Sequence, residues 1–218
     1  SSPSKKQSDE DKSKRAAFHY RLGIDALHKG MLPKAFEELM LADSIAPKQA
    51  ETLDAIAYAW RVRGNNKEAK KYYKQAIKAG GSSATSNNYG SLLVELGEYK
   101  EAVKHLHIAL EDPRYRSQAL AFTNLGDALV GLEDLEGSVS AYRKAHMLSP
   151  KWADPQLREA EAYVHFDRPN YAQALYETIL RREPTNQLAL VGLIKVVKTT
   201  GETDVLNMYI KAFIEKTP

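Results

Sequence analysis

His105 and His107 are the most closely spaced imidazoles in the chain. A helical metal-binding pair needs a spacing of three or four to put both rings on one face, and a spacing of two points them apart. With no Cys present, a thiolate metal site, a disulfide and a cysteine nucleophile are excluded. The paired carboxylates Glu37-Glu38 and Glu133-Asp134 fall on polar helix faces or turns, with no apolar pocket to raise a pKa for acid–base work. The glycines of "LGDALVGLEDLEG" do not form G-x-G-x-x-G after a strand, and there is no G-x-S-x-G. These residue types assign no catalytic residue, no metal site and no cofactor, and the expected protein is not an enzyme. What remains is hydrogen-bonding chemistry. The stretch "NNYGSLLVELGEYKEAVKHLHIAL" opens on the adjacent amides Asn87 and Asn88, whose side chains both donate and accept.

The elements that must position those amides follow from composition and period. The chain has 218 residues, 43% of them apolar and 27% charged, enough for a buried core in one or two domains. A net charge of +3 falls well short of the basic stripe of a nucleic-acid reader, so no nucleic acid is expected as a partner. No run of about 18 apolar residues and no signal-peptide core is present, so any membrane attachment is expected through an anchor outside this chain. The start at Ser1 without Met reads as a processed or trimmed form whose targeting signal has been removed. A Cys-free composition suits cytoplasm and periplasm alike.

Pairs of a large residue with Gly or Ala recur at Leu22-Gly23, Ile56-Ala57, Tyr89-Gly90, Leu125-Gly126 and Glu159-Ala160, with Leu193-Ile194 in register, at intervals of 33 to 36 residues. Twelve residues beyond each small position stand Ala35, Ala69, Ala102, Ser138, Ala172 and Leu206, and Gly30, Gly64, Gly97 and Gly201 stand where a first helix must stop. This pattern resembles the tetratricopeptide repeat, a helix-turn-helix unit of about 34 residues. The resemblance implies an all-α fold, a right-handed superhelical solenoid of six tetratricopeptide (TPR) helix-turn-helix repeats near 16–49, 50–82, 83–118, 119–152, 153–186 and 187–218. Residues 1–15, "SSPSKKQSDEDKSKR", hold no aliphatic or aromatic side chain beyond Pro. They are expected to form a disordered polar leader, a tether reaching about 20 Å.

The departures also carry expectations. Two extra residues within "EDPRYRSQ" imply a longer connection between the third and fourth repeats. Small residues fade in the fifth and sixth repeats, as at a capping end. The last helix, "TDVLNMYIKAFIEK", is apolar around most of its surface and reads either as packed on its own repeat or as an oligomer or partner patch.

In tetratricopeptide geometry the open inner wall comes from the first helix of each repeat, which implies a partner-binding set of Tyr20, Ile24, Leu27, Tyr58, Val62, Asn87, Asn88, Val94, Asn124, Asp127 and Arg158. Asn88 and Asn124 occupy equivalent positions and suit the backbone of an extended peptide. Alternatively, these amides bond between neighbouring helices, and Asn87 caps a helix start. A chaperone-type carboxylate clamp is matched at Asn124 and Arg158 but not at Asn87, Ser91 or Asp154, so that specificity is not expected.

The opening N-N-Y-G, the lengthened "EDPRYRSQ" and the following "NLG" are similar to the type IV pilus pilotin family, as are the six-repeat count and the short polar leader. That resemblance implies an outer-membrane lipoprotein on the periplasmic face, a pilotin that binds the pilus secretin and promotes its localisation and multimerisation in twitching motility. It implies the secretin, with other pilus assembly proteins, as partners, and a lipid anchor missing from this chain. In the family a lipidated Cys precedes the leader. The competing expectation is a generic TPR peptide-binding scaffold or adaptor of another assembly, cytoplasmic in location.

Overall fold

A computed structural model describes residues 4–218. Among them are twelve helices and no strand: α1 (Lys5–His28), α2 (Leu32–Ile45), α3 (Ala50–Arg63), α4 (Asn66–Lys78), α5 (Ser83–Glu95), α6 (Tyr99–Glu111), α7 (Gln118–Gly131), α8 (Leu135–Leu148), α9 (Asp154–His165), α10 (Pro169–Arg182), α11 (Gln187–Thr200) and α12 (Thr203–Lys216). The chain forms two compact units, one ending at Leu92 and one beginning at Leu93.

Local chemistry sets the helix ends. Gly30, Gly64, Gly97 and Gly201 take positive φ of 71°, 91°, 74° and 78° where α1, α3, α5 and α11 stop, a conformation that costs glycine little. In the fourth and fifth repeats Glu133 and Asp167 occupy the same left-handed position, at φ 60° and 58°. Two of the second helices, α4 and α8, are capped from just before their first residue. Asn65 Oδ1 accepts from Glu68 N at 3.1 Å, and Asp134 Oδ1 accepts from Gly137 N at 2.9 Å.

Within each unit the small residues of the period mark close helix approach. In the first unit, a Cβ on Gly23 would stand 2.6 Å from the Leu39 side chain, and Ala57, Ala69, Tyr73 and Ala76 are wholly buried. In the second unit, Gly126 lies against the Tyr142 ring, and Gly192, two residues before the sixth period position at Ile194, lies against the Tyr176 ring, so closely that neither has room for a Cβ. The small position of one helix is therefore the socket for a large residue of its neighbour. Ala69 is 0% exposed, so Ala69→Leu is expected to overpack this layer and destabilise by roughly 1–3 kcal/mol in a denaturant melt. An unchanged midpoint would place residue 69 outside the packed layer.

The structure differs from the sequence expectation at the leader. Residues 1–3 of that segment lie outside the described residues, but from Lys5 the chain is helical and runs unbroken into α1. Ser4 Oγ caps the start by accepting from Gln7 N at 3.2 Å. Lys, Gln, Glu and Arg favour helix intrinsically, and a helix nucleated by packing farther along extends without a second nucleation step. Lack of apolar residues ruled out a core for this segment, not a solvated helix.

The connection between α6 and α7 is six residues, against four between α4 and α5. At the other end α12 packs on its own repeat: Tyr209 is buried against the preceding helices, with Val205 and Leu206 packed beside it, while Met208 and Ile214 are 58% and 68% exposed.

Candidate protein-binding site

In the first unit, five of the sequence-derived residues line one cleft of about 930 Å³: Tyr20, Ile24 and Leu27 from α1, Tyr58 from α3 and Asn88 from α5. The i, i+4 spacing of Tyr20 and Ile24, and of Asp54 and Tyr58, puts each pair on one helix face. Ile24 and Leu27 are half-buried, while Tyr58 is 46% exposed. The cleft is thus apolar at α1 and polar across α3 and α5. Val62 is 56% exposed, one turn beyond Tyr58, outside the residues lining the cleft. Val94 is half-buried near the end of α5 and does not line it either.

Asn87 requires correction. It is 1% exposed, so its amide belongs to the interior and presents nothing to a partner. The reason is that α5 is buried around most of its circumference: Tyr89, Leu92 and Leu93 are buried on one side, Thr85 and Ser86 are buried too, and residue 87 lies on the side away from Tyr89, Leu92 and Leu93 yet is still covered. Asn88 lies on the cleft, but its Nδ2 donates to Asp54 Oδ1 at 3.2 Å, and Thr85 Oγ1 donates to the other Asp54 oxygen at 2.8 Å. This is the interhelical alternative, in which the amide registers α5 against α3.

Asp54 is consequently a carboxylate inside the cleft, with Glu51 one turn before it. Burial raises the Asp54 carboxyl above its ordinary 3.8, with the bonds from Thr85 and Asn88 opposing. The Tyr20 hydroxyl is raised too, by burial and then by the charges of Glu51 and Asp54. Because the folded state holds the Asp54 proton more tightly than the unfolded chain, this group's stabilising contribution is fully present below the unfolded value. It is lost as pH rises through the elevated folded value. Across pH 3 to 7, roughly the carboxyl range and above, the wild-type Tm is expected to fall relative to Asp54→Asn as pH increases. A constant difference would count against a raised Asp54.

The sequence reading left Lys48, Gln49 and Glu51 out of the site, yet all line the cleft. Lys48 reaches it through a left-handed turn at φ 62°, closed by its N–H donating to Asp43 Oδ1 at 3.2 Å. Pro47 immediately precedes Lys48 and favours a turn there, but the side-chain directions of that turn depend on the helices it joins.

In the second unit, Asp127 and Arg158 come together with each other. Arg158 Nη1 donates to Asp127 Oδ2 at 2.7 Å and Nε contacts Asp154 at 3.4 Å, while Tyr142 Oη donates to Asp127 Oδ1 at 2.6 Å. The guanidinium is thereby engaged by two carboxylates of its own chain, which is poor electrostatics for capturing a third. Asn124 is half-buried on α7, three residues before Asp127. Among the described residues no group of three or more acidic or imidazole side chains is placed to hold a metal ion, and no helix is long and apolar enough to cross a membrane.

A family model described as tetratricopeptide repeat matches residues 89–151. PilF of Pseudomonas aeruginosa, a type IV pilus assembly protein, is 27% identical over 213 residues, covering 93% of this chain and 81% of its own. A solved structure from the functional characterisation of Pseudomonas aeruginosa PilF superposes with a TM-score of 0.78 at 22% identity, covering 91% of this chain and 90% of that one. The chain is thus similar in sequence to a type IV pilus tetratricopeptide-repeat protein, and the superposition shows the same fold. PilW, described as a widely conserved type IV pilus biogenesis factor, superposes with a TM-score of 0.83 at 18% identity, over 93% of this chain and 94% of that one. The fold is the all-α tetratricopeptide-repeat fold, a protein-interaction fold, and the sockets at Gly23 and Gly126 are its packing layer.

Proposed function

We propose that this protein is a non-enzymatic type IV pilus biogenesis factor of the pilotin kind, which binds the outer-membrane secretin and promotes its localisation and multimerisation. The observation that carries the reading is the similarity to the PilF pilus assembly protein along 93% of the chain. The N-N-Y-G and "EDPRYRSQ" features support it from sequence. In this reading the protein works at the periplasmic face of the outer membrane, held by a lipid anchor that is not part of this sequence. One acyl chain binds a membrane only marginally, so a multiply acylated anchor is expected.

The mechanism is non-covalent. A segment of the secretin protomer enters the first-unit cleft, burying apolar side chains on Ile24, Leu27 and Tyr58, with Val62 extending the contact. Asp54 and Glu51 give that cleft a preference for a basic residue in the segment. Asn124 and Arg158 serve the binding indirectly, by holding repeats of the second unit in register.

Deleting the gene in its host is expected to remove the heat-stable secretin multimer while secretin monomer persists, and the lipidated form is expected to restore it. An unchanged multimer would refute the proposal and leave a scaffold for another partner. Tyr58→Asp puts a charge on an exposed apolar contact and is expected to weaken secretin capture by about tenfold or more, roughly 1.4 kcal/mol, without lowering the melting temperature. Undiminished capture would remove Tyr58 from the site.

A further inference from the structure

We propose that the second unit carries a second docking groove, along α8, for an acidic amphipathic segment of a partner protein. The groove is a cavity of about 630 Å³ between α8, the end of α9 and the start of α10. On α8 its wall runs from Leu135 to Met147, about 18 Å at the helical rise, which is long enough to seat three turns of a partner helix or a short extended strand.

Its surface is apolar where the fold has no use for apolar groups. The core side of α8 is spent on Ser138, Val139, Ala141, Tyr142 and Ala145, with Val139 forming the floor of the cavity, yet Met147 is 78% exposed and Tyr171 of α10 is 61% exposed, and both line this one cavity. Tyr171 is also held in place, because its ring stacks on the largely buried Tyr163 at 5.3 Å between centroids and 27° between planes. An exposed aromatic ring already fixed by a neighbour loses little freedom when a partner covers it, the property that makes such residues interface anchors. Met147 is flexible and adapts to the shape it meets.

Charge selects the occupant. Arg143, Lys144 and Arg168 line the cavity against one lining carboxylate, Glu136. Arg143 is steadied from behind by Glu159 at 3.5 Å and by the Tyr163 hydroxyl at 3.2 Å, which offsets part of its charge but keeps its head at the groove, where the side chain is 64% exposed. Arg168 Nη1 donates to the carbonyl oxygens of Phe166 and Asp167 at 3.0 and 3.3 Å, and Lys144 lies 5.7 Å from the centre of the Phe122 ring. Each cation is therefore positioned by its own chain with donors left over, since a guanidinium carries five N–H groups and an ammonium three. A segment with aliphatic or aromatic side chains on one face and Asp or Glu beside them satisfies both features. The inference does not rest on the secretin reading, which concerns the first unit.

The test uses the full chain and two fluorescein-labelled synthetic peptides of about twelve residues, a length matched to the groove. Both carry Leu and Phe at helical spacing; one has Glu at every polar position, the other Lys. In fluorescence anisotropy the acidic peptide is expected to bind about tenfold more tightly or better than the basic one. Lys144→Glu and Tyr171→Ala, both at exposed positions, are each expected to weaken the acidic peptide by about tenfold with unchanged thermal melts, while Tyr58→Asp leaves it unaffected. Equal binding of the two peptides, no binding of the acidic peptide at about 1 mM, or loss of affinity in neither groove variant would overturn the proposal. So would an acidic peptide that fails to bind while phosphatidylglycerol vesicles are retained, which would make the patch a lipid surface.

Discussion

Tyr142→Ala is expected to lower the unfolding free energy by about 3–5 kcal/mol, the range for truncating a large buried aromatic ring. Tyr142 is 2% exposed and fills the space left by Gly126 on the facing helix. Its hydroxyl donates to Asp127 at 2.6 Å. Truncation removes the ring, opens a void against a glycine with no side chain to fill it, and strips a donor from a partly buried carboxylate. Collapse is restricted because α7 and α8 are already in close contact elsewhere along their length. Tyr142→Phe separates the contributions: it keeps the ring and loses only the hydrogen bond, an expected cost of roughly 1–2 kcal/mol. Urea melts monitored by circular dichroism give both numbers. A loss below about 1 kcal/mol for the Ala variant would mean that the Gly126 socket is not a packing constraint.

Asp127→Ala is expected to destabilise more than Arg158→Ala, though the two form one ion pair. Asp127 is the common acceptor of Tyr142 and Arg158, and its side chain is 19% exposed against 43% for Arg158. Removing Asp127 leaves the buried Tyr142 hydroxyl without this acceptor, a penalty of about 1–3 kcal/mol. Removing Arg158 breaks a pair whose cationic half is well solvated, where screening limits the effect to about 1 kcal/mol or less. In the double-mutant cycle the Asp127–Arg158 coupling is expected to be small beside the Asp127–Tyr142 coupling. Equal costs for the two single variants would show that the ion pair, not the hydroxyl, is what Asp127 supports. The same geometry makes Arg158 a positioning residue for α7 and α9, and an Arg158→Ala loss of partner binding should scale with lost stability.

Particular residues show how much could be read without coordinates. The packed positions were legible because a small residue at fixed spacing has one physical use, close helix approach: Ala57, Ala69, Ala102, Ala160 and Ala172 are all essentially inaccessible. The stops were legible because glycine at positive φ is a local property, as at Gly64 and Gly201. Tyr20, Ile24, Leu27 and Tyr58 were named from the resemblance to tetratricopeptide geometry and share a cleft. Asn87 was misplaced because the repeat geometry names wall positions without saying how much of α5 is covered, and α5 is buried on opposite sides, at Leu92 and Leu93 as well as at Asn87. Asn88 was placed on the correct wall but with its bonding open, since its partner Asp54 is 34 residues away.

By itself, then, the sequence determined what repeats at fixed spacing: helix pairs, their close-packed positions and their stops. Period and backbone preference are local, so they survive without knowledge of neighbours. Only the tertiary structure decided which polar groups were already satisfied. Asp54 with Thr85 and Asn88, and Asp127 with Tyr142 and Arg158, meet across helices 15 to 34 residues apart in the chain. The groove of Met147, Lys144 and Tyr171 likewise joins α8 to α10: its α8 wall follows the helical period, but Tyr163, Arg168 and Tyr171 reach it from other elements. Such surfaces depend on the angle and offset at which two helices pack, which side-chain size and shape fix only once the neighbouring helix is in place.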